Sequence, residues 1–145
     1  MKTAALILMI VLFGKGCKDE AQNDINSAVI EYTANTRGFY GNVVIQNKTV
    51  LISRDRDKKA DASAAVKVSE SDLKELITAF QEVNLEEMPN LKSPTEKRFY
   101  DGAAIADLQI TYQGKTYKSQ SFDHGNPPVE IERLVNKVAS YLKRE

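Results

Sequence analysis

Apolar positions along the chain follow three patterns, and each predicts a different element. Residues 4–13 are an unbroken apolar run. Later stretches alternate apolar and polar residues, the period of a strand with one buried face. Two others repeat at three and four residues, the period of an amphipathic helix. Alternation predicts a first strand over 28–33. Gly38-Phe39-Tyr40-Gly41 follows as a loop or the beginning of a strand. Residues 42–46 and 49–53 form a hairpin around Asn47-Lys48, since Asn tolerates the left-handed backbone of such a turn. In that register Val43, Ile45, Val50 and Ile52 share one face. Val44 and Leu51 lie opposite, so this pair is expected to be partly covered on both sides. A second hairpin spans 103–112 and 115–122 and turns at Gln113-Gly114. Ala106, Leu108, Ile110, Tyr112 and Tyr117 point to its core side, while Asp107, Gln109, Thr111, Thr116, Lys118 and Gln120 point to water.

The helical period is clearest over 69–83. Ser69 followed by Asp72 is a capping-box-like start, and Leu73, Leu76, Ile77, Phe80 and Val83 form one stripe. Glu70, Asp72, Lys74, Glu75 and Glu82 are expected on the wet face. A last helix is led by Asn126-Pro127-Pro128, carries Ile131, Leu134, Val135, Val138 and Leu142, and ends in Lys143-Arg144, which suits the negative end of its dipole. A fully polar sheet face implies helices on the other side only. The expected fold class is therefore α+β: an antiparallel sheet of about five strands in two hairpins, with two amphipathic helices packed on one face. The order of elements suggests two hairpin-plus-helix units without a residue-level repeat.

The length of 145 residues allows one domain. Residues 28–145 are assigned to it, 17–27 to a flexible tether and 1–16 to a signal peptide. The run over 4–13 would span roughly 15 Å as a helix, half a bilayer's hydrocarbon core, which suits a secretory segment rather than a membrane span. It follows Lys2 and ends in Gly14-Lys15-Gly16, directly before Cys17, the one cysteine of the chain.

This stretch resembles bacterial lipoprotein signal peptides, with Gly14 and Lys15 standing where that pattern usually has Leu and a small uncharged residue. The resemblance implies cleavage between Gly16 and Cys17, a diacylglyceryl and fatty-acyl (palmitate-type) modification of Cys17, and a membrane as the first partner; the alternatives are an ordinary secretory peptide, whose small-x-small rule Gly14-Lys15-Gly16 also fits, and an uncleaved anchor. Lys18-Asp19-Glu20 resembles a signal for display on the outer face of the outer membrane; its plain alternative is a solvated tether. The expected location is the cell envelope, as an outer-membrane lipoprotein. The second half, with Tyr100-Asp101-Gly102, the second hairpin and the proline-led helix, is similar in pattern to small secreted bacterial domains of unknown function.

Charge changes the picture little. The chain has 20 basic and 20 acidic residues, and without Lys2 and Lys15 the basic count falls to 18. No basic surplus draws it to nucleic acid. One cysteine allows no internal disulfide. Asp55, Asp57 and Asp61 fail the calcium-loop pattern, which wants Gly where Ala60 stands and Glu where Val66 stands. The chain has one histidine and no phosphate-binding glycine loop, nucleophile elbow or zinc motif, so no cofactor, metal or catalytic constellation is expected. Asp123-His124 and Asp101 are the nearest approach to an acid–base group. Phe39, Tyr40, Phe99, Tyr100, Asp101 and His124 form a candidate partner patch; otherwise the aromatics close the edge of the core. Two functions follow as expectations: a monomeric, non-catalytic lipoprotein module that binds a protein or glycan partner, or a small hydrolase or inhibitor-like module acting on envelope material.

Overall fold

The alternating segments pair into one antiparallel sheet in a computed structural model that describes residues 24–58 and 65–144. The signal peptide, Gly16, Cys17 and residues 17–23 of the tether lie outside the described residues. The strands are β1 (Val29–Thr36), β2 (Phe39–Gln46), β3 (Thr49–Ser53), β4 (Val66–Lys67), β5 (Ile105–Tyr112), β6 (Lys115–Lys118) and β7 (Phe122–Asp123). Their order is β4-β3-β2-β1-β5-β6, with β7 also paired to β5. The fold is α+β, as the periodicities predict.

The strand count rises from about five to seven because two short pairings are added at the edges. β4 is two residues long and pairs with β3. β7 is the far end of the expected 115–122 strand. That strand is interrupted at buried Ser119, whose hydroxyl accepts the Leu108 N–H at 3.0 Å and whose own N–H donates to the Leu108 carbonyl at 2.9 Å. β2 begins at Phe39 rather than 42. The turn between β1 and β2 is only Arg37-Gly38, with φ +81° at Gly38, so Thr36 already pairs with Phe39. Both predicted hairpin turns hold the left-handed backbone: Asn47 and Lys48 have φ 50° and 60°, Gln113 and Gly114 have φ 50° and 76°.

Helix α1 (Glu70–Gln81) starts where Ser69 accepts the Asp72 N–H. Helix α2 (Glu132–Ala139) is flanked by the 3-10 turns Val129–Ile131 and Ser140–Lys143. Both pack on one sheet face. Leu76, Phe80, Leu134 and Val138 of the helices join Ile30, Tyr32, Val43, Leu108 and Ile110 of the strands in one core. Phe80 meets Tyr112 edge-to-face with ring centroids 5.9 Å apart. Among the described residues no helix is long and apolar enough to cross a membrane.

Two expectations are corrected. The expected tether over 17–27 is shorter by its last four residues: Asp24 caps the 3-10 turn Ile25–Ser27, Ile25 is buried, and the Asp24 N–H donates to the Tyr112 hydroxyl at 3.1 Å. An apolar side chain within reach of the core is withdrawn from water. Asp72, expected on the wet face of α1, is buried. Its carboxylate accepts from Lys137 at 2.6 Å, Arg144 at 2.7 Å and the Tyr141 hydroxyl at 3.0 Å, tying α1 to α2 and the last turn. The Arg144 and Lys137 hydrogen bonds hold this carboxyl far below the ordinary carboxylate range. Asp72→Ala should destabilise the fold by about 2–3 kcal/mol in urea unfolding, since it strands cations at a poorly solvated site. Glu75→Gln, which removes an exposed partner of the same Lys137, should change stability by less than about 1 kcal/mol.

Candidate functional site

Side chains alternate across a strand, so the register sorts the candidate residues before any contact is considered. Thr36 pairs with Phe39, and Asn35 pairs with both Tyr40 and Ile105, which itself pairs with Asp123. Tyr40, Asn35, Ile105 and Asp123 therefore form one row on the sheet face opposite the helices. Phe39 and His124, one residue along, turn to the helix side. Sequence neighbours within Phe39-Tyr40 and Asp123-His124 thus serve opposite faces at the same end of the sheet.

Asp123 is fully buried. Its Oδ2 accepts from the Thr95 hydroxyl at 2.6 Å and the Lys97 N–H at 2.8 Å; its Oδ1 accepts from the Arg98 N–H at 3.0 Å and the Arg98 guanidinium at 3.1 Å. Burial alone would raise its pKa. The Thr95 hydroxyl, the two N–H groups and the guanidinium outweigh that and lower it to about 2. The carboxylate is committed to these donors and does not reach the His124 ring, so the Asp123-His124 pair of the sequence is not an acid–base pair.

These bonds fix the 3-10 turn Lys97–Tyr100. Phe99 and Tyr100 stand on it, each 71% exposed, with the Arg98 guanidinium 4.3 Å over the Phe99 ring. Asp101 caps the turn in the left-handed conformation, φ 58°, and is exposed. The alternative that all four aromatics close the core edge is not met by this pair. Phe39 is 41% exposed and lies against His124, ring centroids 5.7 Å apart. The patch expected from sequence is therefore divided: Tyr40 and the turn bearing Phe99, Tyr100 and Asp101 on one side, Phe39 and His124 on the other.

The open face also holds a groove of about 430 Å³ that the sequence reading did not single out. Val44 and Leu51 form its apolar floor, Tyr40 a wall, and Arg56 and Lys58 come from the segment after β3. Ser53 holds that segment by donating to the Asp55 carbonyl at 3.0 Å and the Lys58 carbonyl at 2.7 Å. The Asn42 amide donates to Glu31 Oε1 at 2.9 Å and Thr33 Oγ1 at 3.0 Å, fixing a polar strip beside the floor. The Arg56 guanidinium donates to the Asn35 side chain. The signal that could have found this groove was the apolar pair Val44 and Leu51 on an otherwise polar face. Among the described residues no group of three or more His, Cys, Asp or Glu side chains is placed to hold a metal.

Comparison of the chain with protein-family models, with curated proteins and with solved structures finds no match.

The buried carboxylate predicts an acid-sensitive contribution to stability. Its folded pKa lies near 2, below the unfolded value near 3.8, so its contribution is complete above that unfolded value and is lost as pH falls toward 2. Asp123→Asn should be about 2 kcal/mol less stable than the wild type at pH 7, where charge-assisted bonds are lost. The gap between the two chemical-denaturation curves should close between pH 4 and pH 2, the window set by those two pKa values.

Proposed function

We propose that this chain is a lipid-anchored, non-catalytic binding module of the bacterial cell envelope, which takes a protein or glycan partner on its uncovered sheet face. The observation that carries the binding reading is the groove floored by Val44 and Leu51. It combines an apolar floor, one aromatic wall, fixed amide and carboxylate groups and two cations, and convergent polar groups around apolar surface are what a recognition site needs. The exposed Phe99-Tyr100 turn lies beyond Ile105 at the end of the same face and extends the aromatic surface on which a partner could rest. The anchor rests on residues 4–17: an apolar run of secretory length, small residues, then Cys17.

Two measurements test this reading. Mass spectrometry of the protein extracted from membranes should find an amino terminus at Cys17 carrying diacylglycerol and acyl mass; an unmodified Cys17 or a terminus elsewhere removes the anchor. A photo-crosslinking residue at Tyr40 should give a discrete adduct in intact cells, and one at Thr116, at the far edge of the same face, should not. Protease or glycosidase sensitivity of the adduct tells protein from glycan. Arg56→Ala should weaken the interaction by about tenfold if its guanidinium meets the partner, the scale of an interface hot spot. Equal labelling at both positions would overturn the groove as the site.

A further inference from the structure

A second cavity, of about 300 Å³, lies on the helix side at the same end of the sheet, between β1, the loop after β7, α2 and the last turn. Its floor is Tyr32, whose side chain is fully buried, and its ceiling includes His124. The Tyr32 hydroxyl and His124 Nδ1 are 2.6 Å apart. Burial, and then the Asp107 charge, push the Tyr32 pKa far up, so the phenol keeps its proton. Among the described residues the hydroxyl has no other acceptor, so it is assigned as the donor to Nδ1, which places the imidazole proton on Nε2. Among the described residues Nε2 has no hydrogen-bond partner and Lys143 has no ion pair. Lys143 lines the same cavity and acts on His124 electrostatically.

The chemistry of the lining is one-sided. Among the described residues no carboxylate borders the cavity. It offers the Lys143 ammonium, the Nε2–H and the Asn136 amide, beside apolar Val135 and Ala139. An ammonium and an N–H donor lining one open space match an oxyanion, and the adjoining apolar wall matches a short alkyl group. We propose that this cavity binds a small aliphatic carboxylate, with Lys143 and His124 Nε2–H on the carboxylate and Val135 and Ala139 on the alkyl portion.

The ionisable groups facing His124 are Tyr32 from β1 and Lys143 from the last turn; Asn136 from α2 and Phe39 from β2 do not titrate, and the Asp123 carboxylate is turned away. In the free protein, burial and the Lys143 charge lower the His124 pKa. A bound carboxylate opposes both effects. By linkage it raises the His124 pKa, and it binds more tightly as pH falls through the titration of the ring.

The chain has one histidine, so its ring nitrogens give a single set of NMR signals. The folded domain is titrated with butyrate, N-acetylalanine and N-acetylalaninamide, the last having no carboxylate. The expected result is a saturable shift of the His124 Nε2 signal with the two acids and none with the amide. The His124 pKa should rise by about half a unit or more at saturation, a modest charge–charge effect. Lys143→Ala should weaken binding about fivefold, as loss of one partly exposed charge contact does, and should leave the far-UV spectrum unchanged. Butyrate and N-acetylalanine binding alike indicates a free organic acid; preference for N-acetylalanine indicates a peptide carboxyl terminus. Both support the site. Absence of a saturable shift, an equal shift with the amide, or full binding by Lys143→Ala overturns it.

Discussion

The buried carboxylate of Asp123 is the constraint on which this end of the molecule depends. A charge withdrawn from water is tolerable only with every lone pair engaged, and here the donors come from a segment 25 to 28 residues earlier in the chain. Meeting that demand closes the connection between α1 and β5 onto the sheet. It sets β7 against the start of β5 and holds Phe99 and Tyr100 out in solvent. A hydrophobic anchor would supply burial, but it would not dictate which backbone N–H groups must converge.

The second constraint is the period of a strand. Because neighbouring residues point to opposite faces, a pair such as Phe39-Tyr40 cannot form one patch unless the backbone leaves the sheet. The turn at Gly38 is too short to allow that, so the aromatic pair is split between the groove and the His124 side. The two cavities are thereby back to back across β1, with Tyr32 flooring one and Glu31, the preceding residue, lining the other. They differ in character as the faces differ. The open face mixes acid, amide and cation, while among the described residues the helix-side cavity presents donors without an acid.

What was legible in the sequence was whatever depends on local period. The two hairpin turns, the Ser69 cap, the stripe of α1 and the polar face of β5 and β6 were all readable from spacing and turn chemistry. The illegible parts rest on tertiary partners. Asp72 looks like any carboxylate on an amphipathic helix until Lys137, Tyr141 and Arg144, at least 65 residues away, close over it. Adjacency in the sequence admits Asp123-His124 as an acid–base pair beside the plainer loop reading, and adjacency on an extended backbone separates side chains. The groove needed the segment after β3 to fold back, which Ser53 arranges through two carbonyls that no pattern announces.

The contact between Asp24 and Tyr112 has a consequence for orientation. Tyr112 ends β5, whereas Ile105 begins it, so the chain joins the sheet at the end of the strands remote from Tyr40, Phe99 and His124. The eight residues of β1 separate the two ends by about 25 Å. The aromatic turn and His124 therefore lie at the opposite end of the sheet from the point where the chain enters it at Asp24. A partner seated on the aromatic turn would leave the Asp24–Tyr112 contact, and the chain that leads into it, uncovered.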